Sequence, residues 1–555
     1  MREDFLGLRF LREESSWRVA ISLAHGNDSG LASIIMSTAS REPRPAQTAS
    51  TSVYAIYGVE PEVQAYAMAK YSRSALSMKD SLRAISEQKT EKFLNTYYFQ
   101  YGHRSIADLA HIAMAIERLS ILAAIAVVDE QRWDGQERST RYQDFSHPDY
   151  YLPEFGGSAS AQRRFREIID FLFAEYRSLS AKMFQHLRER TPRPIDMKQE
   201  MYDRTLRARA FDVARYLLPL ATNTSLGQIV NARTLESQIS RLLSDSFAEV
   251  RALGESLKEA ARNPAYNVNG YALRELWEEI CGRDDGWGKN VHDLLTKEVR
   301  PAPTLVKYAD ASPYLMRSRE ELTAAAAELM AGAAIEPAPP VDLLDDEPLE
   351  VEVATTLLYE HCAYPYRQIR ERVAGVTSAA REEIVNLGVE HRGAHDELLR
   401  AFNAGQQLRF DILMDIGGFR DLHRHRRCVQ IHQGFTSAHG YETPEELTNA
   451  GLGDNYQAIM ERVQDAIADI NQVAGGEGRF DSIYLLPLAF RKRTLFKMDL
   501  AQAAYISELR TAPAGHFSYR HVAYLMYEAV AQRYPTLARH FRVTDVREPA
   551  DLLQR

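Results

Sequence analysis

From Val53 onward the chain spaces apolar residues three and four apart, as one face of a helix does. YGVEPEVQAYAMAKYSRSAL and SIADLAHIAMAIERLSILAAIAVV both follow that spacing, and residues 160–191 and 235–262 repeat it, so helices are expected in all four. Residues 1–50 carry Ser, Ala, Arg and Pro without a period and read as a flexible extension. A break falls at 323–349, where an Ala-rich helical stretch runs into PAPP and then an acidic run, the composition of a linker. Beyond it LEVEVATTLLY alternates and predicts a strand, and helical spacing returns around 378–390, 455–473 and 500–510. The expected organisation is an extension 1–50, a first lobe 51–322, a linker 323–349 and a second lobe 350–555.

One short sequence occurs twice. YLLPLA stands at Tyr216–Ala221 and again at Tyr484–Ala489, 268 residues on (484 − 216), about half the chain. An apolar helix end before a proline can recur by chance, but identity at matching places in two halves of mixed helix and strand points to internal duplication.

Composition narrows the picture. Apolar residues make up 45% of the 555, enough for large cores. No apolar run approaches the ~20 residues of a membrane span, and the N-terminus lacks a continuous signal-peptide core. Cys281, Cys362 and Cys428 are scattered and odd in number, so no disulfide framework is implied and a cytoplasmic location is expected. A net charge of −9 argues against a nucleic-acid partner, whose phosphates demand a basic balance.

The chemistry concentrates in four stretches. Glu137, Ser139 and Arg141 alternate, so an extended segment would set a carboxylate, a hydroxyl and a guanidinium on one face, able to hold a phosphate with a sugar or base. A solvated polar turn is the plainer reading. Arg424, His425 and Arg426, flanked by Arg420, His423 and Arg427, make a compact positive centre for an anion such as pyrophosphate, or else a basic helix end. A metal site from His423, His425 and His432 finds no supporting Cys or carboxylate spacing, and none is expected. AGHFSYRH, with Gly515, His516 and Arg520, either lines a site or caps a helix.

These stretches resemble the flavin-dependent thymidylate synthases, the ThyX family. The first half carries Gly102-His103-x-Ser105, Glu137-x-Ser139-x-Arg141-Tyr142, Ala214-Arg215-x-x-Leu218-Pro219-Leu220 and Asn231-Ala232-Arg233, in the family's order. The second carries Arg424-His425-Arg426 and Leu509-Arg510. Each half lacks what the other keeps: Asp129-Glu130-Gln131 stands where the first half would have Arg-His-Arg, Leu242 where it would have the later arginine, and Ile483 where the second half would have the earlier one. The resemblance implies an α+β fold of two tandem lobes, each a mostly antiparallel sheet with packed helices. It also implies one composite site between halves and a homodimer of four lobes. At that site His103, Ser105, Asn231, Arg233, Arg424, His425 and Arg426 would contact FAD. Glu137, Ser139, Arg141, Arg215 and Arg510 would hold a nucleotide, and Arg424 and Arg510 would act in catalysis. The implied reaction methylates dUMP with methylenetetrahydrofolate and NADPH. Gln136, Asp108, Leu109 and Asp421 depart from the family pattern, which leaves another pyrimidine nucleotide, or a binding protein without catalysis, as alternatives.

Overall fold

The two YLLPLA copies pair with each other. In the computed structural model, Leu220 N–H donates to the Leu486 carbonyl and Leu488 N–H to the Leu218 carbonyl, both at 2.9 Å. Ala221 N–H donates to the Tyr484 carbonyl and Ala489 N–H to the Tyr216 carbonyl, again in mirrored fashion. Pro219 and Pro487 bridge antiparallel at the centre. Proline has no N–H to leave unsatisfied there, and Leu218, Leu220, Leu486 and Leu488 are wholly buried around it. Such reciprocal contacts are what a two-fold axis produces. The repeat is thus the joint between the halves.

The structure describes residues 8–13, 16–21, 32–36, 58–71, isolated positions between 82 and 95, 104–267, 273, 297–394, 396–474, 476–548 and 551–553. Two units emerge, Met1–Val59 and Glu60–Arg555. In the first, β1 (Leu8–Glu13), β2 (Ser16–Ile21) and β3 (Ala32–Met36) form an antiparallel meander.

The second unit holds both halves. The first half's sheet has the order β4-β6-β5, from β4 (His111–Ser120), β5 (Asp134–Glu137) and β6 (Asn223–Asn231). The second half's has β7-β8-β10-β9, from β7 (Val341–Leu343), β8 (Leu408–Asp415), β9 (Val429–His432) and β10 (Arg491–Met498). Apart from β7 the two orders match, and all pairings are antiparallel. Helices Ile121–Val128 and Ile416–Leu422 follow β4 and β8; Ala232–Leu243 and Leu500–Thr511 follow β6 and β10. The long helices Ala159–Arg190 and Gly453–Val473 pack on one another across the joint. This is the α+β architecture the sequence suggested.

Two segments differ from expectation. Residues 105–128 are not one helix: a 3-10 turn (Arg104–Leu109) leads into β4, and the helix begins only at Ile121. Ile112 and Ile116 are buried while His111, Ala113, Ala115 and Glu117 are exposed, a two-residue period hidden among the small apolar residues. Ser120 then starts the helix by accepting from the Ala123 N–H at 3.0 Å. LEVEVATTLLY is a helix, Leu349–Tyr359, rather than a strand. Pro348 and two glutamates favour a helix start, and burial of Glu352 beside Lys497 (2.8 Å) lets a non-amphipathic sequence pack on several sides.

Candidate active site

Glu137 closes β5, and its carboxylate accepts from the Arg420 guanidinium of the helix Ile416–Leu422, both side chains nearly buried. The pair crosses from one half to the other. After Arg138 the chain leaves the sheet and turns, so Glu137, Ser139 and Arg141 do not share one extended face as the alternation implied. Ser139 Oγ instead accepts from the Arg141 N–H at 3.2 Å and braces the turn. That turn carries Arg141 inward. Its guanidinium donates to Asp212 through Nε at 2.7 Å and Nη2 at 3.2 Å, to the Tyr519 hydroxyl at 3.0 Å and to the Ala514 carbonyl at 3.1 Å. Burial opposes the charge, but the Asp212 fork outweighs it and holds the guanidinium above its ordinary pKa.

Asp421 lies at the centre of the cationic group. Burial pushes its carboxyl up, yet Arg215, Arg141, Arg424 and Arg510 together hold it below the ordinary carboxylate range. Two of those arginines come from each half. Arg215 is 2% exposed and reaches Asp421 through Nη1 at 3.5 Å, while its Nε and Nη2 are buried with no hydrogen-bond partner among the described residues. A Cβ on Gly417 would stand 3.3 Å from Nη2, so glycine leaves the guanidinium its room.

Arg424, His425 and Arg426 follow the helix end and diverge. Arg424 is exposed. His425 accepts from Arg510 Nε at 2.8 Å, and burial, with Arg510 and Arg426 beside it, pushes its pKa down to about 3, so it is a neutral acceptor. Arg426 lies over the Trp133 ring at 5.2 Å, with Nε and Nη2 lacking hydrogen-bond partners among the described residues; burial lowers its pKa to about 10. Trp133, Glu137, Arg420, Arg424 and Arg426 wall a narrow cleft between the halves. A roomier, mostly apolar groove lies elsewhere, against Leu408, Met498, Leu500 and Leu537. Of the two, the narrow cleft is the candidate site, because charged side chains from both halves line it.

The remaining candidates form a second group. Ser105 is exposed on the 3-10 turn. Asn231 caps the helix Ala232–Leu243, accepting from the Thr234 N–H at 2.8 Å. Arg233 pairs with Asp108 at 3.5 Å and, across to the second half, with Glu397 at 3.0 Å. His103 lies outside the described residues. Glu137 pairs with Leu226 on β6 while Asn231 ends that strand, about 17 Å further at 3.3 Å per residue. A ligand touching both groups has to be extended.

Two partners escaped the sequence reading, Asp212 and Tyr519. AGHFSYRH supplies Tyr519, and His516 approaches the Asp212 carbonyl at 2.9 Å while capping its own helix. The helix-capping reading of that stretch is the one His516 fulfils. Asp212 had no local signal, because it acts on a residue 71 positions away.

A family model described as thymidylate synthase complementing protein matches residues 56–264 and again residues 353–536. The chain belongs to this family. Its two matches are the two halves of a tandem duplication. A UPF0159 protein of Chlamydia pneumoniae is 26% identical over 526 residues, covering 89% of this chain and 92% of its own. One from Thermoplasma acidophilum is 24% identical over 516 residues, covering 86% and 94%. A flavin-dependent thymidylate synthase of Clostridium tetani is 23% identical over 218 residues, covering 39% of this chain and 84% of its own. Among solved structures, thymidylate synthase X of Helicobacter pylori with FAD and dUMP is 16% identical, covers 36% of this chain and 89% of that one, and has a TM-score of 0.22. The long relatives span both halves; the single-lobe enzyme spans fewer than half the residues. Among the described residues no helix is long and apolar enough to cross a membrane.

Proposed function

We propose that this chain is an FAD-dependent enzyme of thymidylate-synthase type, methylating dUMP to dTMP with methylenetetrahydrofolate and NADPH at one composite site per chain. The observation that carries the reading is Arg215: a buried guanidinium with two unpartnered donors, in a cluster to which both halves contribute. Buried donors without acceptors cost about 1–3 kcal/mol each, and an anionic ligand relieves that cost. Arg426, with two more such donors over Trp133, fits the same kind of ligand.

In this reading Arg215 and Arg510 hold the nucleotide phosphate, and Arg141, fixed by Asp212, keeps the Ser139 turn in place beside them. Glu137, locked by Arg420, sets the wall of the cleft. Arg424 and Arg426, with His425 as a neutral acceptor, face the flavin, and Ser105, Asn231 and Arg233 attend its far end; His103 is proposed as a further flavin contact by its place in the motif alone. The flavin, when bound, supplies the hydride chemistry. Arg424 and Arg510 would, in this reading, stabilise negative charge developing on the base. Two chains would rebuild a four-lobed assembly, so a homodimer follows, with a soluble cytoplasmic setting and no nucleic-acid partner.

Asp421 favours a second reading, in which the acceptor is a different pyrimidine nucleotide. A carboxylate only accepts hydrogen bonds, and this one already competes for Arg215. An absorbance spectrum with and without dUMP tests the proposal. Flavin bands at one FAD per chain, perturbed by dUMP, are expected. Flavin bands indifferent to dUMP would favour the second reading. A protein that takes up no FAD overturns both, leaving a nucleotide-binding protein without catalysis.

A further inference from the structure

Beside the cleft, whose wall includes His423, side chains of both halves meet again around Asp129. This residue caps the helix Ile121–Val128 in the first half, and His423 and His432 come from the second. Asp129 Oδ1 lies 3.2 Å from His432 Nε2 and 3.8 Å from His423 Nε2. The imidazole rings stand 4.8 Å apart, nearly perpendicular.

The protonation pattern is set by neighbours. Gln430 donates through Nε2 to the His425 carbonyl at 2.9 Å, which fixes which end of its amide is oxygen. That oxygen lies 2.8 Å from His423 Nδ1, so Nδ1 carries the proton. His423 Nε2 is left as a bare lone pair, in a side chain 2% exposed, aimed at Asp129 with no hydrogen-bond partner among the described residues. A metal-bound histidine is held in the same way, its second nitrogen donating to a fixed acceptor. Asp129 has an outer-shell partner as well. Arg400 donates to its carboxylate through Nη1 at 2.5 Å and to its backbone carbonyl through Nη2 at 2.9 Å.

We propose that Asp129, His423 and His432 form a three-ligand site for a divalent first-row transition ion of the Zn2+ class, tying the two halves together. Two imidazole nitrogens and one carboxylate oxygen suit such an ion, with at least one position open. Bonds of about 2.0–2.2 Å set donor separations near 3–3.5 Å; both separations from Asp129 Oδ1 come within a few tenths of an ångström of that range, and the three donor atoms lie within 4.8 Å of one another. One carboxylate opposed by Arg400 offers too little negative charge for Mg2+ or Ca2+, which take oxygen donors. The nitrogen donors decide the class.

The test uses the full chain, stripped with chelator and titrated with Co2+ as a spectroscopic probe, then with Zn2+ as competitor. One Co2+ per chain, with visible ligand-field bands that Zn2+ abolishes, is expected. His432→Ala and Asp129→Asn should each weaken binding at least tenfold, while His147→Ala, at an exposed histidine, should leave it unchanged. Wild-type chain that takes up no stoichiometric Co2+ overturns the proposal without recourse to any variant. Uptake that survives both ligand substitutions also overturns it, identifying an adventitious ion only.

Discussion

Two duplicated sets of positions meet between the halves, one at the cleft and one around Asp129, and they have become opposites. Counted from the helix starts Ile121 and Ile416, Asp129 stands where Arg424 does, and His432 where Glu137 does. One side therefore has an arginine near a carboxylate on the cleft wall, and the other an aspartate in contact with a histidine. Arg215 has Ile483 as its counterpart, and Arg510 has Leu242, which is fully buried in the core. Joining two lobes in one chain removes the requirement that both sides of an isologous contact be identical. One set of arginines remained, and apolar residues stand at the places of the other.

The sharpest way to break this comparison is to remove Arg215. Truncating one member of a buried charge pair costs about 2–5 kcal/mol, so Arg215→Ala should weaken dUMP binding by about a hundredfold or more, read by titration of the bound flavin's absorbance. Ile483→Ala, at the mirrored position, should lower the melting temperature but leave nucleotide affinity within about twofold. Equal losses in both variants would mean the sides are not functionally distinct.

Asp421 sharpens the comparison with effects of opposite sign. Its carboxylate is the internal counter-ion of four arginines, and its counterpart across the joint is Ala126. Asp421→Asn should destabilise the ligand-free protein, since the guanidiniums lose their common partner. The same change should tighten binding of a phosphorylated nucleotide by about tenfold, because a competitor for Arg215 becomes neutral. Thermal melts and dUMP titrations on the same sample check both signs. If affinity falls instead, Asp421 contacts the ligand directly.

Glu137 and Arg420 link the halves at the cleft wall. A double-mutant cycle with Glu137→Gln and Arg420→Gln should return a coupling energy of about 1–3 kcal/mol for this nearly buried pair. Coupling near zero would make the contact incidental to how the halves are held.

What the sequence disclosed follows from how local each signal was. The arginines, Glu137 and Ser139 stood in short ordered motifs, and the repeated YLLPLA marked the joint. The inward turn of Arg141 was hidden, since its acceptors lie at Asp212 and, 378 residues on, at Tyr519. The Asp129 cluster was hidden for the same reason: a histidine search within one half could not find a carboxylate belonging to the other. β4 was missed because alanines beside its buried isoleucines blur a two-residue period into a helical one.

The smallest expected effect concerns a hydroxyl–carboxylate pair that the halves have exchanged. In the first half Ser120, at the end of β4, donates its hydroxyl to Glu249 Oε2 at 2.6 Å, and its N–H to Oε1 at 2.8 Å. In the second half the strand end carries the carboxylate, Asp415, and Ser518 of the matching helix donates to it. Burial raises both carboxyls above their ordinary values, against the hydrogen bonds that lower them. A raised folded-state pKa means that the native protein holds the proton more tightly than the unfolded chain. The resulting stability is fully present below the unfolded value, about 4.3 for glutamate, and is lost as pH rises through the folded one. Glu249→Gln removes that titration, so its melting temperature relative to wild type should climb as pH is raised from about 4 to 7. Asp415→Asn should shift in the same direction, because exchanging the partners across the joint leaves the sign of the titration unchanged. A relative melting temperature that falls with rising pH in either variant would show that hydrogen bonding, rather than burial, governs that carboxyl.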